Sequence, residues 1–177
     1  MGRISFIHPI KNFFKVKHKA QRRIVKTSRL YHKGGIYRVI ALLMHQRNLR
    51  LFPVEIYPYV PIGKNFYMPH AVGIVIGQTT QIGDDVKIFP NVVIGAKYSS
   101  GGNPAGRLHA VIGDGCFLGA NSVILGGITL GKNVTVAAGA VVDIDVPDNS
   151  LVYGHNVIRP KKPKEEGPMD QGEKHDE

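Results

Sequence analysis

Residues 76–95 read Ile76-Gly77-Gln78-Thr79-Thr80-Gln81-Ile82-Gly83-Asp84-Asp85-Val86-Lys87-Ile88-Phe89-Pro90-Asn91-Val92-Val93-Ile94-Gly95. Isoleucine falls on every sixth position, at 76, 82, 88 and 94. The phase resumes at Ile112, Leu118, Ile124, Leu130, Val136 and Val142. Gly follows six of these ten branched aliphatics, at Gly77, Gly83, Gly95, Gly113, Gly119 and Gly131. A second inward series sits four residues after every aliphatic but Ile94: Thr80, Val86, Val92, Cys116, Ser122, Ile128, Val134, Ala140 and Val146. An α-helix repeats its faces every 3.6 residues and cannot sustain a period of six. A coil of three short flat faces can, because each face takes one strand and one turn. The sequence therefore predicts a mainly β protein built as a parallel β-helix. Stacked strands would lie about 4.8 Å apart, with each aliphatic row forming a ladder inside the prism.

The chain has 177 residues, enough for one domain with a small appendage. Its 21 glycines suit coils that turn three corners each. The net charge of +10 is unevenly placed. Residues 1–50 hold 13 Lys and Arg and no acid, whereas the remainder holds 10 basic and 13 acidic residues. Basicity is thus a property of the N-terminal segment and not of the repeat. The single cysteine, Cys116, belongs to the second inward series and reads as a small core residue. One cysteine cannot form an internal disulfide, so nothing points to an oxidising compartment. No run approaches the ~20 apolar residues of a membrane span, and no secretory signal is read. An organelle transit peptide would also be Arg-rich and acid-free, but residues 36–52 look built to pack on the domain.

Three segments are expected. Residues 1–52 form a basic, helical N-terminal segment, 53–159 the β-helix, and 160–177 a Pro-, Lys- and Glu-rich disordered tail. In residues 1–27, Phe and Ile interleave with Lys and Arg as in an amphipathic helix. Gly34 and Gly35 break it. A second helix is expected from Ile36 to Leu51, with Ile36, Val39, Ile40, Leu43 and Met44 on its packing face and Pro53 as its stop. A β-helix leaves unpaired strands at both ends. The N-terminal helix and a last strand over 151–154 are the candidate caps.

The repeat breaks twice. Met68 to Ile76 is eight residues and not six, so an insertion surrounds Pro69, His70 and Gly73. From Ile94 to Ile112 the in-phase positions are Ser100 and Gly106, so residues 96–109 leave the coil and return. Long loops on rigid scaffolds commonly carry function. His70 marks the first break and His109 ends the second, and an imidazole suits base chemistry near neutral pH. Glu55 lies 15 residues before His70, about one coil upstream, where it could orient that imidazole. Taken singly, these would pass for a turn histidine, a loop histidine and an edge carboxylate. No metal-binding spacing and no phosphate-binding Gly loop is present.

Residues 54–157 resemble the serine acetyltransferase branch of the hexapeptide acyltransferases. His70-Ala71-Val72-Gly73-Ile74-Val75-Ile76-Gly77 is close to that family's His-Ala-Thr-Gly-Ile-Val-Val-Gly, and Glu55-Ile56-Tyr57-Pro58 to its Asp-Ile-His-Pro. His109-Ala110-Val111-Ile112 matches the segment after its extended loop. Val146-Pro147-Asp148-Asn149-Ser150-Leu151-Val152 is similar to bacterial exopolysaccharide O-acetyltransferases of the colanic-acid type. The resemblance implies a left-handed β-helix, acetyl-CoA as donor without a metal, and a homotrimer with active sites between neighbouring prisms. It implies His70 as the base, Glu55 in place of the Asp that orients it, and His109 lining the same site, with Arg107 and His109 on the acceptor. Gly95 and Ala96 would lie along the pantetheine and steady the oxyanion. Gly119, Ala120, Ala137 and Ala138 would border CoA, and Arg159, Lys161 and Lys162 would meet its phosphates.

The chain departs from the family at two acceptor positions. Pro69 stands where the family has Asp before the catalytic His, and Leu108 where it has an Arg expected to bind the serine carboxylate. These departures direct the expectation to a sugar hydroxyl of a surface polysaccharide or its precursor. Serine O-acetylation in cysteine biosynthesis is the alternative. A β-helical zinc hydratase would need three histidines where the repeat offers two at its breaks. A non-catalytic solenoid would need neither. The basic residues 1–27 suit anionic lipid at the inner face of the membrane of a cytoplasmic protein, and no nucleic-acid motif accompanies them.

Overall fold

The computed structural model describes residues 8–97 and 106–160. Two helices, α1 (His8–His32) and α2 (Ile36–Leu51), precede the strands. Before the long loop come β1 (Val54–Ile56), β2 (Ile74–Ile76), β3 (Gln81–Ile82), β4 (Lys87–Ile88) and β5 (Val93–Gly95). After it come β6 (Val111–Ile112), β7 (Phe117–Leu118), β8 (Val123–Leu125) and β9 (Thr129–Leu130). The last are β10 (Thr135–Val136), β11 (Val141–Val142), β12 (Ser150–Tyr153) and β13 (Val157–Pro160).

The strands form three faces, ordered β1-β2-β5-β8-β11, β3-β6-β9 and β13-β12-β10-β7-β4. All pairs are parallel except β12 with β13. Register reports the hexad arithmetic directly. Ile76 pairs with Ile94 and Ile124 with Val142, one coil of eighteen residues each. Ile94 pairs with Ile124, thirty positions on, so the second break adds twelve residues to a coil without shifting the ladder. Ile56 pairs with Ile76, twenty positions on, and the two extra residues are those around His70.

Nine of the ten phase positions are at most 1% exposed, and Ile82 is 5%. The second series, from Thr80 to Val146 and including Cys116, is buried too. Burying each large aliphatic contributes roughly 1.5–3 kcal/mol, and their stacking is what holds the prism.

Glycine takes some of the corners, as at Gly115 and Gly139, but not all of them. Many of the corners are taken by Asn65, Asp85, Asn91, Asn121, Asn133 and Asn149, all with positive φ. Their side chains bond along the prism, as Asn91 Nδ2 does to Asn121 Oδ1 at 3.1 Å. Asn and Asp tolerate this conformation better than other side chains. The glycines that follow the aliphatics serve close stacking instead. A Cβ on Gly119 would come 2.6 Å from the amide nitrogen of Ala138 on the next coil.

Helix α1 covers the first coil. Ala20, Ile24, Thr27 and Ser28 are buried beneath it. Gln21 donates to Phe66 O (2.7 Å) and accepts from Met68 N (3.1 Å), while Ser28 Oγ donates to Val60 O (2.7 Å). Free strand groups at this end are thus satisfied by side chains.

Helix α2 has the expected limits but not the expected face. Ala41, His45 and Asn48 are buried, while Ile36, Val39, Ile40 and Leu43 are exposed. The reason is a polar seam between the helices. Asn48 Oδ1 accepts from Arg23 Nε (2.9 Å), and Asn48 Nδ2 donates to Thr27 Oγ1 (3.1 Å). These directional bonds orient α2, and its aliphatic stripe faces away.

At the other end, β13 folds back antiparallel on β12 and includes Pro160, which the sequence reading placed in the tail. Asp143 ties this region to the base of the long loop. Lys97 Nζ lies 2.8 Å from its carboxylate, Asn156 donates to it, and His155 is 3.5 Å away. The Lys97 and Asn156 hydrogen bonds hold the Asp143 carboxyl down to about 2, against the usual 3.8. A depressed carboxyl stabilises the fold above its unfolded value and ceases to do so as pH falls through the folded one. Asp143→Asn should therefore lower thermal stability at neutral pH by an amount equivalent to about 1 kcal/mol or less. The gap between variant and wild type should close as pH falls from 3.8 towards 2. Calorimetry across that range checks it; a gap that does not narrow would remove the carboxylate as its source.

Candidate functional site

One corner of the prism, where the chain leaves the face of β2, β5 and β8, gathers most of the unusual residues. Gly77 follows β2 there, and its amide donates to Ile94 O at 2.8 Å. Gly95 sits one coil on, and its carbonyl accepts from Gly126 N at 2.9 Å. Ala96 and Lys97 start the long loop from this corner. Residues 98–105 lie outside the described residues. The chain returns over the same corner, where a Cβ on Gly127 would fall 2.1 Å from Arg107 O.

This return delivers His109. His109 is 8% exposed, and its ring packs closely against Gly77. A Cβ built on Gly77 would fall 1.9 Å from His109 Cδ2 and 2.2 Å from Nε2. Only a residue without a side chain can sit beneath this imidazole. Thr79, two residues further on, holds the other edge. Its Oγ1 is 2.7 Å from His109 Nδ1, and its backbone N–H donates to the same nitrogen at 3.4 Å. A backbone N–H can only donate, so Nδ1 is an acceptor and the neutral ring carries its proton on Nε2. Burial lowers the His109 pKa below 6.5, which favours that neutral form at ordinary pH. His109 is therefore built as an oriented N–H donor. The sequence reading found His109 by its place at the end of the loop. It missed Gly77 and Thr79, because Gly77 looks like the other aliphatic-Gly pairs of the repeat.

His70 stands at the opposite edge of the same face, before β2. Its carbonyl accepts from Val72 N at 3.0 Å, and Gly73, at φ +64°, turns the chain into the strand. The ring itself is exposed. Glu55 registers with Val75, accepts a hydrogen bond from Tyr57, and faces His45 of α2. That bond pushes the Tyr57 phenol above its usual value. Tyr57 stacks on Tyr59, and Tyr59 Oη donates to Gln78 Oε1 at 2.8 Å. The Glu55 carboxylate thus borders an aromatic wall between α2 and β2.

The remaining expected positions fall in two places. Arg107 Nη2 donates to Thr129 Oγ1 at 3.2 Å, while Leu108 is exposed. Gly119 and Ala120 lie one coil from Ala137 and Ala138, at the end of β7 and β10, a different corner from Gly95 and Ala96. Gly139 N bonds Ala120 O at 2.9 Å across this second patch, leaving a strip of small side chains. Arg159 lies over the Tyr153 ring, 5.2 Å from its centroid. Lys161 and Lys162 are outside the described residues. Among the described residues, no group of three His, Cys, Asp or Glu is placed to hold a metal ion, and no helix is long and apolar enough to cross a membrane.

Known proteins resemble this chain in sequence and fold. The family described as hexapeptide repeat of succinyl-transferase matches residues 109–143. The serine acetyltransferase of Helicobacter pylori is 37% identical over 123 residues, which cover 70% of this chain and 69% of that one. The structure of soybean serine acetyltransferase complexed with serine superposes with a TM-score of 0.67 at 38% identity, covering 79% of this chain and 55% of that chain. The serine acetyltransferase of Brucella abortus in complex with coenzyme A superposes with a TM-score of 0.66 at 32% identity, covering 79% and 53%. The chain spans about half the length of several of the curated relatives it matches. Its fold is the left-handed parallel β-helix of these structures. The matches also overturn one expectation. Pro69 and Leu108 pointed to a sugar hydroxyl as acceptor, yet the relatives and structural neighbours are consistently serine acetyltransferases. The two substitutions were given too much weight against a match that runs through the whole prism.

Proposed function

The chain belongs to the hexapeptide-repeat acyltransferase family, among relatives named serine acetyltransferase, and from that premise we propose that it transfers acetyl from acetyl-CoA to the hydroxyl of L-serine. The observation that carries the reading is the neutral His109 held on Gly77 by Thr79, at the corner where the long loop returns. It supplies a fixed donor at the place where an acyl-transfer site needs one.

In this reading His70 takes the proton of the serine hydroxyl as the oxygen attacks the thioester carbonyl. His109 Nε2–H stabilises the negative charge gathering on the former carbonyl oxygen, together with the backbone at Gly95 and Ala96. The C–S bond then breaks, and the imidazolium of His70 returns its proton to the CoA thiolate. Glu55, in place of the family's Asp, is assigned to orient the His70 imidazole. The strip of Gly119, Ala120, Ala137 and Ala138 borders CoA, with Arg159 and Lys161 towards its phosphates. Arg107 is assigned to the acceptor side.

Assembly follows from the same geometry. Gly73 and Gly77 lie four residues apart along β2, roughly 13 Å for extended chain. That is too wide for one small acceptor to touch the imidazoles beyond both ends of the strand. The site is therefore proposed to join His70 of one copy to His109 of a neighbour within a homotrimer.

The test is CoA release by the purified chain with acetyl-CoA and L-serine. Serine-dependent turnover and O-acetylserine in the product are expected. No release above acetyl-CoA hydrolysis at saturating serine would end the assignment.

A further inference from the structure

Helix α1 carries a second feature that acetyl transfer does not use. Between this helix and the first coil lies a cavity of about 430 Å³, within the range of small-molecule sites. Arg22, Lys26, Arg29 and Lys33 line one side of it, and Phe66 and Leu30 form part of its apolar wall. Arg22, Lys26 and Arg29 fall at i, i+4 and i+7 on one face of the helix, and Lys33 follows in the turn just past its end. All four are exposed.

Two observations separate this from an ordinary wet basic face. The first is that the row is not neutralised, although carboxylates lie close by. Asp84 Oδ1 accepts from Lys64 N (2.7 Å) and Asp85 Oδ1 from Asn65 Nδ2 (2.9 Å), beside the cavity-lining Gly63 and Asn65. Among the described residues, none of the four cations forms an ion pair. The second is rigidity. The side chains of Gln21 and Ser28 pin α1 to the backbone of Phe66, Met68 and Val60. The space is held open by buried contacts and does not depend on the cationic side chains.

We propose that this cavity binds phosphate groups, which ride on the row of cations while an apolar or aromatic part of the same ligand settles against Phe66 and Leu30. Planar guanidinium forks and ammonium donors at successive helical turns suit two or more phosphates. The same chemistry is offered by a soluble nucleotide and by the headgroups of anionic lipids. The inference does not depend on the acceptor of the acetyl group and stands or falls apart from it.

The test uses the full chain and its Lys26→Glu/Arg29→Glu variant, both exchanging exposed side chains, with thermal unfolding to verify that each is folded. Titration calorimetry with ATP and with inorganic pyrophosphate reads the soluble source. Sedimentation with phosphatidylglycerol vesicles, against phosphatidylcholine vesicles, reads the lipid source. At least one phosphate probe is expected to bind, to weaken about ten-fold or more in the variant, and to weaken further with added salt. Preference for ATP over pyrophosphate identifies a nucleotide-like ligand, and binding confined to the anionic vesicles identifies lipid. Serine-dependent CoA release by the variant should match wild type when no phosphate probe is present. No binding of any probe at roughly millimolar concentration and physiological salt, or equal binding by both chains, overturns the proposal. Should the variant not fold, salt-independent binding by wild type overturns it equally.

Discussion

His70→Ala is expected to lower serine-dependent turnover by about 10²–10⁴-fold, the usual contribution of a positioned general base. The ring is exposed and packs on none of the core ladders, so folding and acetyl-CoA binding should be unchanged. The loss should appear in kcat, because the base acts on a proton that moves only in the reaction. The proposed assembly adds a sharper outcome. His70→Ala and His109→Ala are each expected to be inactive alone. Trimers formed from both should recover a fraction of wild-type turnover, because some interfaces then pair an intact His70 with an intact His109. Steady-state kinetics on co-expressed, separately tagged chains would measure this. Absence of recovery would place both histidines in one chain's site, and wild-type-like turnover by His70→Ala would remove it as the base.

Gly77→Ala is expected to cost about 10²-fold in turnover, although it adds a single methyl group. The new Cβ would lie 1.9 Å from His109 Cδ2, far inside contact distance, so the imidazole must move. Moving it breaks the Thr79 contact to Nδ1, and with it the restraint on the tautomer. Displacements of about 1 Å at a positioned group can cost 10²-fold. The backbone of Gly77 does not need positive φ, so the fold should accept alanine with little loss of thermal stability. Activity and stability thus separate, and thermal unfolding beside kinetics checks both. Equal losses of stability and turnover would mean that the substitution disrupts the coil and not the position of His109.

The period of six needed no coordinates. Ten branched aliphatics at fixed spacing give one solution, because only a three-faced coil buries them all, and the observed ladders follow that spacing. The two departures from the period were equally legible, since each marks chain that the coil does not require. His70 and His109 could be picked out by place alone. The face of α2 could not. Its aliphatic stripe satisfied the usual pattern, but the hydrogen bonds that Asn48 accepts from Arg23 and donates to Thr27 turned the helix the other way. Linear sequence carries the apolar period and not the geometry of a polar seam between two helices.

The surroundings of Glu55 were hidden for a related reason: the inserted pair around His70 sets which residues meet across β1 and β2. Register places Glu55 opposite Val75, with Tyr57 and His45 around it. By itself the sequence determined the prism, its two interruptions and the acid-free N-terminal segment, because all three are properties of spacing and composition. Only the tertiary structure decided that Gly77 and Thr79 hold His109 neutral with its proton on Nε2. That depends on a returning loop meeting the turn after β2, some thirty residues earlier, at contact distance, where one methyl group decides whether a ring fits.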